Sequence, residues 1–409
     1  MRRDIPKLMK ERDIDTIVVL GGGTNNPVMT YVTGPAKLMR SIYAMTADGT
    51  AVLVHNPMER DEAKETGIPC VSFSELGLKR LVEEEKSEIR GEARMIALIL
   101  ERIGAKRKVC FYGNFETSRF MAYVDFLRQN MAGLEIVTEK DKSIFDVARI
   151  TKDLDEVEKM RSVARKTCES LAIVRDLLFS CQIKGDYLVK KDGTHLKLGD
   201  LRSLMRTELI KRGLVERGGT IISMGRDSAV PHNFGNDEED VRSGRTIVMD
   251  IFPGEIGAGY AFDITRTYCV GDVPDEVRKM YDDVREAQRM SIESLRSGSL
   301  ARIYQERVCD FFESKGYRTI RQGDAIEEGY VHGLGHGIGL EVQEKPRLAG
   351  PDTNVDVIQP GSLFTVEPGL YFPSRGIGVR IEDVIYARPD GKFEVLMDFP
   401  RDISPSSGR

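Results

Sequence analysis

Five short segments hold residue types that could do chemistry together. They are Val230-Pro-His-Asn-Phe234, Met249-Asp-Ile-Phe252 with Ala261-Phe-Asp-Ile-Thr-Arg-Thr267, Val331-His-Gly-Leu-Gly-His-Gly-Ile-Gly339, Phe364-Thr-Val-Glu-Pro-Gly369 and Val379-Arg-Ile-Glu-Asp-Val384. Asp250 and Asp263 lie on β-like runs, with Gly254 and Gly257 between them. A hairpin centred between Ile256 and Gly257 sets the two aspartates face to face, their Cβ atoms about 5 Å apart on one side of the ladder. Carboxylates so placed repel unless a cation or a proton neutralises them. A metal ion would do so. Two surface strand aspartates would need none, and strands disfavour Asp without excluding it.

Glu367 and Glu382 repeat the pattern around a turn-like centre at Ser374-Arg-Gly376. Val379 and Ile381 alternate there with Arg380 and Glu382, so an arginine and a glutamate share the face opposite the apolar one. A metal centre explains that; so does a buried Arg–Glu pair. His336 sits among Gly333, Gly335, Gly337 and Gly339, which permit close backbone approach. A lone histidine in such a loop is commonly structural. Here it accompanies four carboxylates, and the chain has only five histidines in all. One imidazole with four carboxylates suits two divalent ions, Mn²⁺ or Co²⁺ first and Zn²⁺ also, better than a thiolate-rich structural zinc site.

These segments need elements to carry them. At 409 residues the chain is longer than one core usually serves, so two domains are expected, 1–148 and 149–409. The first reads as α/β. Asp15–Leu20, Ile42–Thr46, Ala51–Val54 and Lys108–Tyr112 are β-rich runs, Asp48-Gly49 is a hairpin turn signal, and Glu92–Arg102 and Ser118–Asn130 have helical patterns. Gly21–Gly23 lacks the spacing of a phosphate loop and reads as a plain loop. Thr151 or Asp153 can cap a helix that runs through Val157, Met160, Val163 and Ala164. Further helices are expected over Leu201–Arg212, Asp275–Arg296 and Leu300–Lys315, with Gly-rich strands from Gly218 to Val270 and from Gly361 to Ala387. Val189–Gly199 reads as a local insertion or hairpin with no assigned role.

Composition narrows the partners. The net charge of −5, with both signs interspersed, argues against a nucleic-acid or anionic-membrane surface. No run approaches the roughly 18 apolar residues that span a bilayer, and no signal-peptide pattern follows the charged N-terminus, so the cytosol is the expected compartment. The six cysteines, Cys70, Cys110, Cys168, Cys181, Cys269 and Cys309, form no C-x-x-C pair and read as buried thiols.

The motif set resembles the pita-bread metallopeptidases: Xaa-Pro dipeptidase, Xaa-Pro aminopeptidase and methionine aminopeptidase. The family order Asp, Asp, His, Glu, Glu matches Asp250, Asp263, His336, Glu367 and Glu382, and the words Asp-Ile-Thr-Arg-Thr, Gly-His-Gly-Ile-Gly-Leu and Val-Glu-Pro-Gly match as well. His232 matches a histidine that lines the family's substrate pocket, and His332 one that precedes the metal histidine. The resemblance covers about residues 150–390; the first 150 resemble, more weakly, the N-terminal domain of the prolidase and aminopeptidase P branch. It implies an α+β architecture, a pita-bread domain behind an α/β domain, and a homodimer, since relatives are often dimers. It implies a peptidase that cleaves between an N-terminal residue and proline through a metal-bridging hydroxide. Glu367 would be general base, His232 a holder of substrate or oxyanion, and His332, Gln343 and Arg380 the pocket's shapers. Two departures stand out. Asp250 and Asp263 are two residues further apart than is usual, which preserves strand parity. Gln343 stands where the family usually carries a histidine, and Gln cannot exchange a proton near neutral pH. Alternatives are another N-terminal specificity, a weakly active or non-catalytic binding homologue, and creatinase-like amidinohydrolysis.

Overall fold

The computed structural model describes residues 4–257, 259–323 and 326–404. Backbone contacts divide the chain into two units, 1–149 with 257–259 and 150–256 with 260–409.

The first unit is a six-stranded mixed sheet. Its spatial order is Cys70–Ser72, Ala51–His55, Ser41–Thr46, Thr16–Gly21, Lys108–Tyr112, Glu135–Val137. Ser41–Thr46 and Ala51–His55 pair antiparallel around Asp48-Gly49. Val18, Leu20, Ile42, Val52 and Val54 meet Ile96, Leu100 and Leu127 from the helices Glu88–Arg102 and Thr117–Asn130, which gives the unit its own core. Gly21–Gly23 simply leads into the short helix Pro27–Thr33, whose Met29 N–H is capped by Asn26.

The second unit runs helix, helix, strands, and then does so again. Leu154–Ser180 starts where the Glu156 carboxylate accepts the Asp153 N–H at 2.8 Å. Its buried stripe, Val157, Met160, Ala164, Leu171, Val174 and Leu178, keeps helical spacing. Leu198–Lys211 follows, and then a three-stranded antiparallel sheet in the order Ile264–Cys269, Thr246–Glu255, Leu214–Met224. The second pass has helices Asp275–Ser294 and Arg302–Ser314, a five-stranded sheet that includes His336–Gly337, Leu363–Val366 and Asp383–Ala387, and the ribbon Gly369–Phe372 with Ile377–Arg380. Val284, Tyr304, Val308 and Phe312 on those helices pack against Phe364, Val366, Val379 and Ile385. Within Val189–Gly199, Val189 ends the strand Tyr187–Val189 and bridges His195, and the helix has already begun at Leu198. Among the described residues no helix is long and apolar enough to cross a membrane, and all six cysteines are free thiols.

Candidate metal centre

The two hairpins hold the acidic residues at particular places in their ladders. Leu363–Val366 pairs with Asp383–Ala387 so that Val366 faces Asp383, and Gly369–Phe372 pairs with Ile377–Arg380 so that Gly369 faces Arg380. Both ladders share one register, and Glu367 and Glu382 stand opposite each other in the break between them. The aspartates differ from the expected arrangement. Asp250 faces Thr265, not Asp263, and Gly254 bridges Ala261, so the hairpin is centred one residue later than Ile256/Gly257. The Glu255 N–H reaches the Tyr260 carbonyl at 3.1 Å and the Phe262 N–H the Pro253 carbonyl at 3.0 Å, which closes the loop in that register. Asp263 therefore lies just ahead of its strand, diagonal to Asp250. Parity is unchanged, so both side chains still project to one side.

His336 comes to these carboxylates on a two-residue strand. A Cβ at Gly335 would meet the Thr365 carbonyl oxygen at 2.0 Å, so only glycine lets this backbone approach so closely. The His336 N–H donates to Thr365 Oγ1 at 3.0 Å. Its Nδ1 lies 3.0 Å from the Gly337 carbonyl, an acceptor only, so Nδ1 carries the proton and Nε2 keeps its lone pair. Nε2 is 3.3 Å from Glu367 Oε1 and 3.9 Å from Asp263 Oδ2. Asp263, His336 and Glu382 each offer a ligand atom, all within 4.8 Å of one another.

The charges balance only if protons or a cation neutralise the excess of carboxylates. Four carboxylates gather around Arg380, which is 3% exposed and whose Nη2 donates to Asp250 Oδ2 at 2.6 Å. At an effective dielectric of about 20, like charges about 4 Å apart repel by roughly 4 kcal/mol. Burial, and then the carboxylates of Glu382, Asp250 and Glu367, push the Asp263 carboxyl well above the usual range. Burial, Glu367 and Asp250 do the same to Glu382, against His336 and Arg380. Glu367 is pushed up to about 8, chiefly by burial, with Arg380 opposing. Asp250 Oδ1, Asp263 Oδ1 and Glu382 Oε1 are buried without a hydrogen-bond partner. Buried acceptors of that kind are costly unless something binds them. The orphaned oxygens of Asp263 and Glu382, clustered with an imidazole lone pair, fit a divalent cation site.

Above this group lies a cleft of about 470 Å³, lined among others by His232, His332, Gln343, Arg347 and Arg380. His232, on the loop after the turn Asp227–Ala229, and Gln343, just before the strand Glu344–Arg347, are exposed in it. Arg380 lines the cleft with its guanidinium already bonded. Nε donates to Thr265 Oγ1 at 3.1 Å, Nη1 to the Tyr371 hydroxyl at 2.8 Å, and Nη2 to Asp250, so its guanidinium is engaged by the protein itself. Tyr371 was not legible in the motifs. Its hydroxyl meets His332 Nε2 at 2.8 Å, while His332 Nδ1 lies 2.7 Å from the Gly333 carbonyl. Withdrawal from solvent, and then Arg380, lower the His332 pKa to about 3, so the ring is neutral and accepts the Tyr371 proton. Two threonines were missed as well: Thr265 donates to Glu382 Oε2 at 2.7 Å, and Thr365 to Glu367 Oε1 at 3.2 Å. Their one signal is an inward Thr beside each acid. Arg347 adds an exposed cation to the cleft wall.

Comparison with known proteins agrees with this geometry. Residues 158–389 match metallopeptidase family M24. The chain belongs to that family. Over 397 residues it is 26% identical to the Xaa-Pro dipeptidase of Pyrococcus horikoshii, covering 95% of this chain and 94% of that one. Over 197 residues it is 35% identical to a Mycobacterium tuberculosis protein named "Probable dipeptidase PepE". That match covers 48% of each chain, so the chain spans about half the length of this relative. The solved structure of the Xaa-Pro dipeptidase from Bacillus anthracis shares the fold, with a TM-score of 0.76 at 22% identity and 98% of both chains covered. The architecture is thus the α+β pita-bread fold, preceded in sequence by an α/β unit.

Proposed function

We propose that this chain is a dinuclear-metal peptidase that hydrolyses the bond between an N-terminal residue and proline, in Xaa-Pro dipeptides or longer peptides. The observation that carries the proposal is the buried cluster of Asp263, His336 and Glu382, in which one carboxylate oxygen of each acid has no hydrogen-bond partner. The relatives named Xaa-Pro dipeptidase support the substrate class. Asp250, Asp263, His336, Glu367 and Glu382 would hold two divalent ions, Mn²⁺ or Co²⁺ first and Zn²⁺ as an alternative. Such ions supply a water of lowered pKa and a Lewis acid for the scissile carbonyl.

The chain's own residues do the rest. Glu367, with Oε1 oriented by the Thr365 hydroxyl, takes the proton from the attacking water. His232, exposed in the cleft, holds substrate or the developing oxyanion. His332 is kept neutral and braced by Tyr371, and so contributes shape and polarity rather than charge. Gln343 can hydrogen-bond a substrate carbonyl but passes no proton. Arg347 offers a cation to a substrate carboxylate. A proline peptide is a tertiary amide without an N–H donor, which is why a dedicated site suits it. A cytoplasmic homodimer is part of the same proposal, by resemblance.

Purified protein with Mn²⁺ or Co²⁺ should release the N-terminal residue from a panel of Xaa-Pro peptides. Absence of metal-dependent turnover on every member would sink the peptidase reading. One observation favours a second reading, a weakly active or binding homologue: the exposed Gln343 in the cleft wall. A large gain in kcat from Gln343→His would show that the missing imidazole limits the rate. Turnover on other N-terminal dipeptides but not on Xaa-Pro would move the specificity and leave the metals in place.

A further inference from the structure

We infer that the buried ion pair Lys152–Glu344 is a positioning device that anchors the substrate wall of the cleft to the strand leading into Glu367. The inference rests on the peptidase reading above. Lys152 Nζ lies 2.9 Å from Glu344 Oε2, and both side chains are 2% exposed. The other carboxylate oxygen, Oε1, accepts the Glu341 N–H at 3.2 Å. One carboxylate thus ties a lysine and the backbone of the loop 339–343 together. Gly339 makes room for the pair: a Cβ there would meet Glu344 Oε2 at 2.6 Å and Lys152 Cε at 2.8 Å.

Each end of the pair is attached to part of the site. The Lys152 N–H donates to the Gly361 carbonyl at 2.9 Å, and Thr151 bridges Ser362, just ahead of the strand Leu363–Val366 that runs into Glu367. Glu344 opens the strand whose Arg347 faces His336. Val342, Gln343 and Arg347, on either side of Glu344, line the cleft. The Gly339 carbonyl accepts the Ala261 N–H at 2.7 Å, two residues before Asp263. A buried ion pair adds little net stability against a well-packed apolar pair of similar volume, whereas removing one partner is costly. Its use here is geometric: it sets where the wall stands relative to the reacting bond.

Steady-state kinetics on Xaa-Pro peptides, metal content and amide exchange of residues 339–347 test this. Glu344→Gln and Lys152→Met should raise KM about tenfold or more, the size of effect seen when supporting partners of a site are lost. With metal content unchanged, kcat should stay within about threefold of wild type, the signature of lost substrate binding. Because a single variant can destabilise the fold, the double variant K152M/E344M is the control. It should melt no lower than wild type, yet keep the raised KM and the faster exchange of 339–347. A KM within about twofold of wild type in both Glu344→Gln and the double variant would overturn the proposal; so would unchanged exchange of that segment. If wild type turns over no Xaa-Pro peptide, the peptidase reading fails, and the exchange measurement still decides whether the pair anchors the loop.

Discussion

The aspartate hairpin and the glutamate hairpin meet at the Thr265–Glu382 bridge, yet they hold their acids in different ways. Glu367 and Glu382 stand directly opposite in a break between two ladders of one register, with hydrogen-bonded strand on either side. Asp250 is inside a ladder and faces Thr265, while Asp263 lies ahead of its strand on the diagonal. The partners differ too. Asp250 is held by the Arg380 guanidinium, and each glutamate by a threonine hydroxyl. Asp263 has an orphaned oxygen, and its Oδ2 lies 3.9 Å from His336 Nε2. The comparison teaches that backbone symmetry between hairpins does not make their acids equivalent. The glutamates are placed by the ladders on either side of a break, Asp250 by its own ladder and by Arg380, and Asp263 by the loop that leads into its strand.

Removing the least supported acid should do most. Asp263→Ala is expected to lower metal-dependent kcat/KM about 10³-fold or more, since a metal takes several kcal/mol off the barrier. Metal content of the purified variant, read beside its kinetics, checks this; retained metal and activity would break the comparison. Arg380→Met should come next. It leaves Asp250 without its ion-pair partner, and loss of a supporting partner typically costs about 10–100-fold in metal affinity or activity.

The metal-free protein offers a pH test. Burial raises the Glu367 carboxyl from 4.5 to about 8. The folded state therefore binds more protons than the unfolded chain between those values. That contribution to stability is fully present below pH 4.5 and is lost as pH rises through about 8. Asp263 and Glu382 shift in the same direction. The melting temperature of chelator-treated protein should fall between pH 5.5 and 8.5, and the increment restored by Mn²⁺ should grow over the same range. A constant increment would mean that the acids are not the groups the metal neutralises. The smallest effect separates the two threonines. Thr265→Val and Thr365→Val each remove the hydroxyl's bond to a glutamate, about 1 kcal/mol or roughly fivefold in metal affinity, together with the bond that the hydroxyl accepts from Arg380 Nε or from the His336 N–H. The 2.7 Å bond of Thr265 should cost more than the 3.2 Å bond of Thr365.

Much of this was legible in the chain. Apolar alternation around Arg380 and Glu382, and the turn at Ser374–Gly376, lead directly to the observed glutamate pairing, because a tight turn dictates register. The aspartate register was missed because a longer loop leaves the centre undetermined; Tyr260 and Pro253, neither of which looks like a register element, set it. Gly335 and His336 were legible as a pair, whereas the Thr365 carbonyl that makes glycine necessary there is not local in sequence. Arg380 was legible as an inward residue, but its engagement by Asp250, Thr265 and Tyr371 was not, since those partners come from three other strands.

The residue types and their spacing by themselves determined the oxygen-rich set of candidate donors, the family and the alternation that turns each acid inward, because these depend only on side-chain chemistry and strand parity. Tertiary structure alone decided which acid faces which, which oxygens are left without partners, that His332 is neutral, and that Lys152 lies against Glu344 nearly two hundred positions later in the chain. The physical reason is that burial and long-range hydrogen bonding set charge and orientation, and neither is a property of neighbouring residues.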